Sequence, residues 1–175
     1  MEAYQQEKHI FVMGNGGSAS TASHFTCDIN KGVCINLEKK FKVICLNDNL
    51  PTLLAYGNDF SYEDIFVKPM KNFLQPGDLV IGFSGSGNSP NVLKAFEWAN
   101  QMDAKTFSLT GFDGGKLSKI SHNAFVVPVR DMQKTEDIHL MICHLMMQML
   151  CYQLNPQALT CYQQKKAVRN PSKPQ

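Results

Sequence analysis

Gly82-Phe-Ser-Gly-Ser-Gly-Asn-Ser-Pro90 lies between two stretches of different periodicity. Before it, Asp78-Leu-Val-Ile81 is a short apolar run of the kind that forms a buried strand. After it, Asn91 to Asn100 carries apolar residues at helical spacing. A strand, a loop of small hydroxylated residues and a helix form an arrangement that binds phosphate. Gly85 and Gly87 let the backbone approach an anion closely, and Ser84, Ser86 and Ser89 offer hydroxyl donors. The first turn of the helix adds free N–H groups and the positive end of its dipole. The loop contains no lysine and does not match the nucleoside-triphosphate loop that ends in Gly-Lys-Ser/Thr. An ordinary Gly/Ser-rich turn is the alternative. Three serines between a strand and a helix favour a phosphate monoester site.

The same unit occurs earlier. His9-Ile-Phe-Val-Met13 is a strand, and Gly14-Asn-Gly-Gly-Ser18 turns into a helix over 19–30, so a second polar ligand group can sit there. Further strands are predicted at 41–46, 104–109 and 123–129, the last at an edge because of Pro128. Asn47-Asp-Asn49 caps a short helix over 51–56, which Gly57-Asn-Asp59 breaks, and another helix is predicted over 61–73. A short helix runs to Ile120. The last helix, 135–154, is apolar nearly all round, which places it in a core or between subunits. Strands alternating with helices, without hairpin signals, predict an α/β fold with a doubly wound five-stranded parallel sheet. Ligands of such sheets collect at the carboxyl ends of the strands, where both glycine loops sit. Residues 1–155 form one domain, and 156–175 is a polar C-terminal extension with a mobile end.

With 43% hydrophobic and 18% charged residues, the 175-residue chain has globular composition. A net charge of +2 gives no reason to invoke nucleic acid, and no apolar run is long enough to span a membrane. The start lacks the apolar segment of a secretory signal. Six cysteines form no Cys-x-x-Cys pair, and Cys45, Cys143 and Cys151 fall in apolar patterns. This reads as buried free thiols in a reducing compartment, hence a cytoplasmic protein.

His24 and Asp28, four residues apart, share a helix face. Glu136, Asp137, His139 and His144 lie on the last helix, where polar groups need partners. Each histidine alone reads most simply as a satisfied core or interface residue. His24, Asp28, Glu136 and His144 together also make a shell for a divalent metal. Glu136 and His144 are about 12 Å apart along a helix, so they either reach one ion between them or share it across subunits. His139 points about 140° away from His144 and is read as structural, as are His9 and His122.

The combination resembles the sugar isomerase (SIS) family, in its phosphoheptose isomerase branch. The matching segments are Gly14-Asn-Gly-Gly-Ser-Ala19 with His24, Gly57-Asn-Asp59, Ser84 to Ser89, Leu109-Thr-Gly-x-Asp-Gly-Gly-Lys116, and Glu136-Asp-Ile-His-Leu140 with His144. The resemblance implies a flavodoxin-like fold, a homotetramer with sites between subunits, and conversion of D-sedoheptulose 7-phosphate to D-glycero-D-manno-heptose 7-phosphate, often with zinc. It implies that Ser84, Gly85, Ser86 and Ser89 hold the phosphate, and that Asn15, Gly16, Gly17, Ser18, Asn58, Asp59 and Glu136 line the substrate site. It assigns His24, Asp28, Glu136 and His144 to the metal, and Asp28, Glu136 and His144 to catalysis.

Asp28 stands where the family has a glutamate and Glu136 where it has a glutamine, so oxygen ligands persist and one carboxylate is added. Isomerisation needs a base beside the carbonyl and an acid on its oxygen; Asp28 is the implied base, with Glu136 sharing the work. Family members carry a long helical segment before the first strand, against about eight residues here, which leads to the expectation of a shortened start. Two alternatives remain: a non-catalytic SIS protein that senses a phosphosugar or serves as a regulatory partner, and an isomerase of another phosphosugar.

Overall fold

The computed structural model describes residues 1–155; the predicted extension over 156–175 lies outside them. In chain order the elements are α1 (Glu2–Gln5), β1 (His9–Gly14), α2 (Gly17–Cys27), β2 (Lys42–Cys45), α3 (Leu50–Asp59), α4 (Val67–Met70), β3 (Leu79–Ser84), α5 (Pro90–Gln101), β4 (Lys105–Gly111), α6 (Gly115–Ile120), β5 (Asn123–Val127) and α7 (Met132–Leu154). All strands pair in parallel in the order β2-β1-β3-β4-β5, so the predicted five-stranded sheet is present with Pro128 just beyond an edge strand.

Alternation along the strands builds two cores. Ile10 and Val12 of β1, with Ile81 and Phe83 of β3, face α2 and α7. Phe11 and Met13, with Val80, face α5 and the segment 65–74. On that second face Gly82 leaves room for the Phe96 ring, with which any side chain there would collide. Val92, Ala95, Phe96 and Ala99 are the buried stripe of α5.

Three helical expectations change. α3 runs through Gly57 to Asp59, because Asn49 Oδ1 caps it by accepting from Thr52 N (3.2 Å) and one glycine costs a helix only about 1 kcal/mol. The helix predicted over 61–73 is instead a 3₁₀ turn, Tyr62–Asp64, followed by the one-turn α4, where Pro69 removes a backbone donor. α7 buries Thr135, His139, Cys143, Met147 and Cys151 on one face only. Its opposite side leaves Met141 (67%), Leu145 (51%), Met149 (54%) and Tyr152 (64%) exposed, so within this chain it is not covered all round. Cys45 and Cys143 are buried free thiols pushed up to about 12 by burial, whereas Cys151 is disulfide-bonded, which corrects the reading of three free thiols.

His139 is structural, as expected from its direction on the helix. It is 1% exposed, its ring lies 6.2 Å from that of Phe83, and neither ring nitrogen makes a well-formed hydrogen bond. Burial pushes its pKa down, and the nearby Thr110 backbone offsets this only in part. The folded chain therefore keeps His139 neutral at a pH where the unfolded chain, titrating near 6.5, takes up a proton. Stability is lost as pH falls through and below that value. His139→Leu is expected to flatten the decline in Tm between about pH 7 and pH 5 relative to the native chain; parallel declines in the two proteins would refute it.

Candidate active site

β1 and β3 are adjacent, with Val12 opposite Ile81 and Gly14 opposite Phe83, so the loops leaving them emerge side by side. The first is anchored by Asn47, whose Oδ1 accepts from Gly14 N (3.1 Å) and whose Nδ2 donates to Gly14 O (2.8 Å). The serine loop is braced from β4 and α6. Gly111 N donates to Gly85 O (2.8 Å), Leu117 N to Gly87 O (2.9 Å) and Lys116 N to Asn88 Oδ1 (3.1 Å). Gly87, at φ +64°, crosses the Gly114-Gly115 backbone so closely that a Cβ would strike it. Ser84 and Ser89 hydroxyls lie 3.1 Å apart, and Ser89 does not cap α5 with its side chain. Pro90 has no N–H and Val92 N is taken up by Asn91 Oδ1 and the Ser89 carbonyl, so the helix start keeps the Asn91 N–H as its donor for an anion.

A cavity of about 270 Å³ lies between these loops. Asn15, Gly16, Gly17, Ser18, Ser84, Gly85, Ser86, Ser89 and Glu136 line it, nine of the residues the sequence singled out. Met132 and Phe83 complete the wall. Glu136 is half-buried, and its carboxylate occupies the space that a side chain at Gly17 would need. Asn58 lines a neighbouring cavity of about 440 Å³, which shares Asn15 and Gly16 with the first. Asp59 borders neither cavity and accepts a hydrogen bond from Asn58 Nδ2 (2.9 Å).

The histidine cluster is separate. His24 on α2 and His144 on α7 bring their Nε2 atoms to 3.2 Å, and Asp28 Oδ2 lies 3.4 Å from the first and 3.7 Å from the second. Asp28 opens a π-helical turn, Asp28–Val33, that continues α2. Such turns recur at functional sites. Asp28 Oδ2 is buried and has no hydrogen-bond partner among the described residues. A tetrahedral ion with bonds of about 2.0–2.2 Å sets its ligand atoms about 3.4 Å apart, so the three atoms form one face of such a shell. The residues fit a divalent metal. Glu136, the fourth ligand expected, is not part of this cluster and faces the serine loop instead.

Two contributors escaped sequence reasoning: Met132, one turn before Glu136, and Asn91, buried behind the serine loop. Asn91 left a signal, a polar residue in the first turn of an otherwise regular amphipathic helix, but nothing in it points to a partner. His9, beside Asp78, and His122, bonded to Thr106, are structural as expected.

A family model described as the SIS domain matches residues 1–111, well over half of the chain. The chain belongs to the SIS family. This SIS domain is 38% identical over 147 residues to the phosphoheptose isomerase of Helicobacter pylori (strain ATCC 700392 / 26695), covering 83% of this chain and 76% of that protein. It is 33% identical over 153 residues to the phosphoheptose isomerase of Aquifex aeolicus (strain VF5), covering 85% and 80%. Among solved structures, phosphoheptose isomerase GmhA from Neisseria gonorrhoeae superposes with a TM-score of 0.78 at 28% identity, over 85% of this chain and 79% of that one. A phosphoheptose isomerase from Francisella tularensis gives 0.80 at 26% identity, over 85% and 78%.

The contact between Gly17 and Glu136 makes a specific prediction for this SIS domain. Gly17→Ala adds a better helix former in the first turn of α2 but forces the Glu136 carboxylate out of its place. Phosphoheptose isomerase activity is expected to fall at least about tenfold with Tm unchanged or raised, since small misplacements of a reacting group are costly. Equal activity in the two proteins would remove Glu136 from the reacting groups.

Proposed function

We propose that this SIS domain is an aldose–ketose isomerase that converts D-sedoheptulose 7-phosphate to D-glycero-D-manno-heptose 7-phosphate. The observation that carries it is one cavity holding both a cradle of neutral anion donors and a carboxylate, in a chain 38% identical to a phosphoheptose isomerase. Ser84, Ser86 and Ser89 hydroxyls, with the backbone at Gly85, bind the phosphate. Asn15, Gly16, Gly17, Ser18 and Asn58 hold the polyol, and Asp59 acts through Asn58.

The reaction moves one carbon-bound proton from C1 to C2 and one oxygen-bound proton from O1 to O2, so C1 is oxidised as C2 is reduced and the sugar as a whole is neither. Glu136, the carboxylate in the phosphate cavity, takes the C1 proton and returns it to C2. His144, brought to the same substrate by a neighbouring subunit, passes the second proton between the two oxygens at Nε2. Asp28, whose buried oxygen faces both imidazoles, holds the histidines in place and is the second candidate base. His24, Asp28 and His144 would hold zinc, with Glu136 joining them only from a neighbouring subunit. When bound, the ion supplies polarisation of the carbonyl oxygen.

The exposed stripe Met141, Leu145, Met149 and Tyr152 supports assembly into a homotetramer whose subunits complete one another's sites. Four free cysteines among the described residues (Cys27, Cys34, Cys45 and Cys143), against Cys151 in a disulfide, support a cytoplasmic location, and no helix among the described residues is long and apolar enough to cross a membrane.

His144→Ala is expected to lower turnover of sedoheptulose 7-phosphate by at least about 100-fold while changing its affinity no more than a few fold. Activity that falls on chelation and returns with zinc supports the metal assignment. Turnover that survives both treatments would sink the roles given to the cluster, and a native chain that binds the sugar without turning it over would sink the isomerase.

A further inference from the structure

Asn91 is fully buried at the start of α5, directly behind the serine loop. Its carboxamide and that of Asn15 form a reciprocal pair: Asn15 Nδ2 donates to Asn91 Oδ1 (2.8 Å), and Asn91 Nδ2 donates to Asn15 Oδ1 (2.9 Å). A closed amide pair has two senses, but one neighbour selects between them. The Val92 backbone N–H, shared with the Ser89 carbonyl (3.1 Å), points at Asn91 Oδ1 (3.0 Å), and a backbone N–H can be met there only by an oxygen. That sets the sense of Asn91, which in turn sets the sense of Asn15. Tyr62 OH then donates to Asn15 Oδ1 (3.0 Å).

A carboxamide oxygen accepts two hydrogen bonds and its nitrogen donates two. Asn15 Oδ1 has both of its acceptor positions filled, by Asn91 and Tyr62. Its nitrogen has one N–H engaged and one left. Asn15 lines both cavities, so this N–H is what its side chain can offer a ligand.

We propose that Asn91 is a positioning residue that locks the Asn15 carboxamide as a donor, so that the site selects a phosphosugar presenting an oxygen acceptor at that point. The inference rests on the phosphosugar reading of the cavity. It also ties the two ligand loops together through one buried contact, since Asn15 belongs to the loop after β1 and Asn91 to the helix after the serine loop. Replacing Asn91 by aspartate keeps the size but sets a second oxygen against Asn15 Oδ1. Asn15 must then turn or lose its partner.

The test is calorimetric binding of sedoheptulose 7-phosphate and, separately, of inorganic phosphate to the full chain. The proteins are the native one, Asn91→Ala, Asn91→Asp, Asn15→Ala and Asn15→Ala/Asn91→Ala. Either Asn91 variant is expected to bind the phosphosugar about tenfold more weakly, while phosphate affinity stays within about twofold. The double variant is expected to be no weaker than Asn15→Ala alone, because Asn91 acts through Asn15. Losses that add, or phosphate affinity falling in step with the phosphosugar, would reduce Asn91 to a support of the loop. If the alanine variant does not fold, Asn91→Asp in the native and Asn15→Ala backgrounds gives the same comparison. A native chain that binds the phosphosugar without turnover defeats the isomerase and leaves this inference standing; one that binds it no better than phosphate defeats this inference.

Discussion

β1 and β3 are hydrogen-bonded neighbours although a strand and three α-helices separate them in sequence. β2 lies on the far side of β1, so the chain reverses its direction of winding at this point. A sheet of this kind opens a crevice there, because the helices that follow the two strands go to opposite faces. α2 packs on one core and α5 on the other, and the glycine loop and serine loop are left facing each other across the gap. The ligand cavity follows from strand order before any particular side chain is considered.

Backbone then does most of the shaping. The serine loop is held by amides from β4 and α6, and Gly87 meets the Gly114-Gly115 backbone with no space for a side chain. The polar groups of the site are therefore oriented by main chain that is itself fastened elsewhere. This favours preorganisation over adjustment on binding. The histidine cluster has a different origin: it exists because α2 and α7 pack together and a π-helical turn begins at Asp28.

The sheet was legible in the sequence because each strand is a short apolar run ending in glycine or another turn residue. The serine loop was legible for the same local reason. Pairing of His24 with Asp28 followed from their spacing, and the approach of His144 came through family likeness. What was hidden depends on long-range packing. Gly57 looks like a helix break but is tolerated because Asn49 caps the helix and the chain turns only at Phe60. The segment 61–73 has helical spacing, yet Phe66, Val67 and Met70 are drawn into the core around Pro69 in less than two turns. Glu136 looked like a ligand for the same ion as His144, and only the orientation of α7 shows that within one chain Glu136 faces the serine loop while His144 meets His24 and Asp28. The pairing of Asn91 could not be read, since its partner lies 76 residues away.

The cavity wall contains no lysine or arginine among the described residues, and its one ionisable side chain is Glu136. A dianionic group there is met by hydroxyls and amides, whose dipoles act over short distances and are little affected by dissolved salt. Strong cationic clamps raise affinity for substrate and product alike, and a product held that tightly leaves slowly. A neutral cradle beside a carboxylate gives up some grip in exchange for rapid exchange of ligands. Such a site suits a near-balanced interconversion in which both ends of the reaction carry the same phosphate.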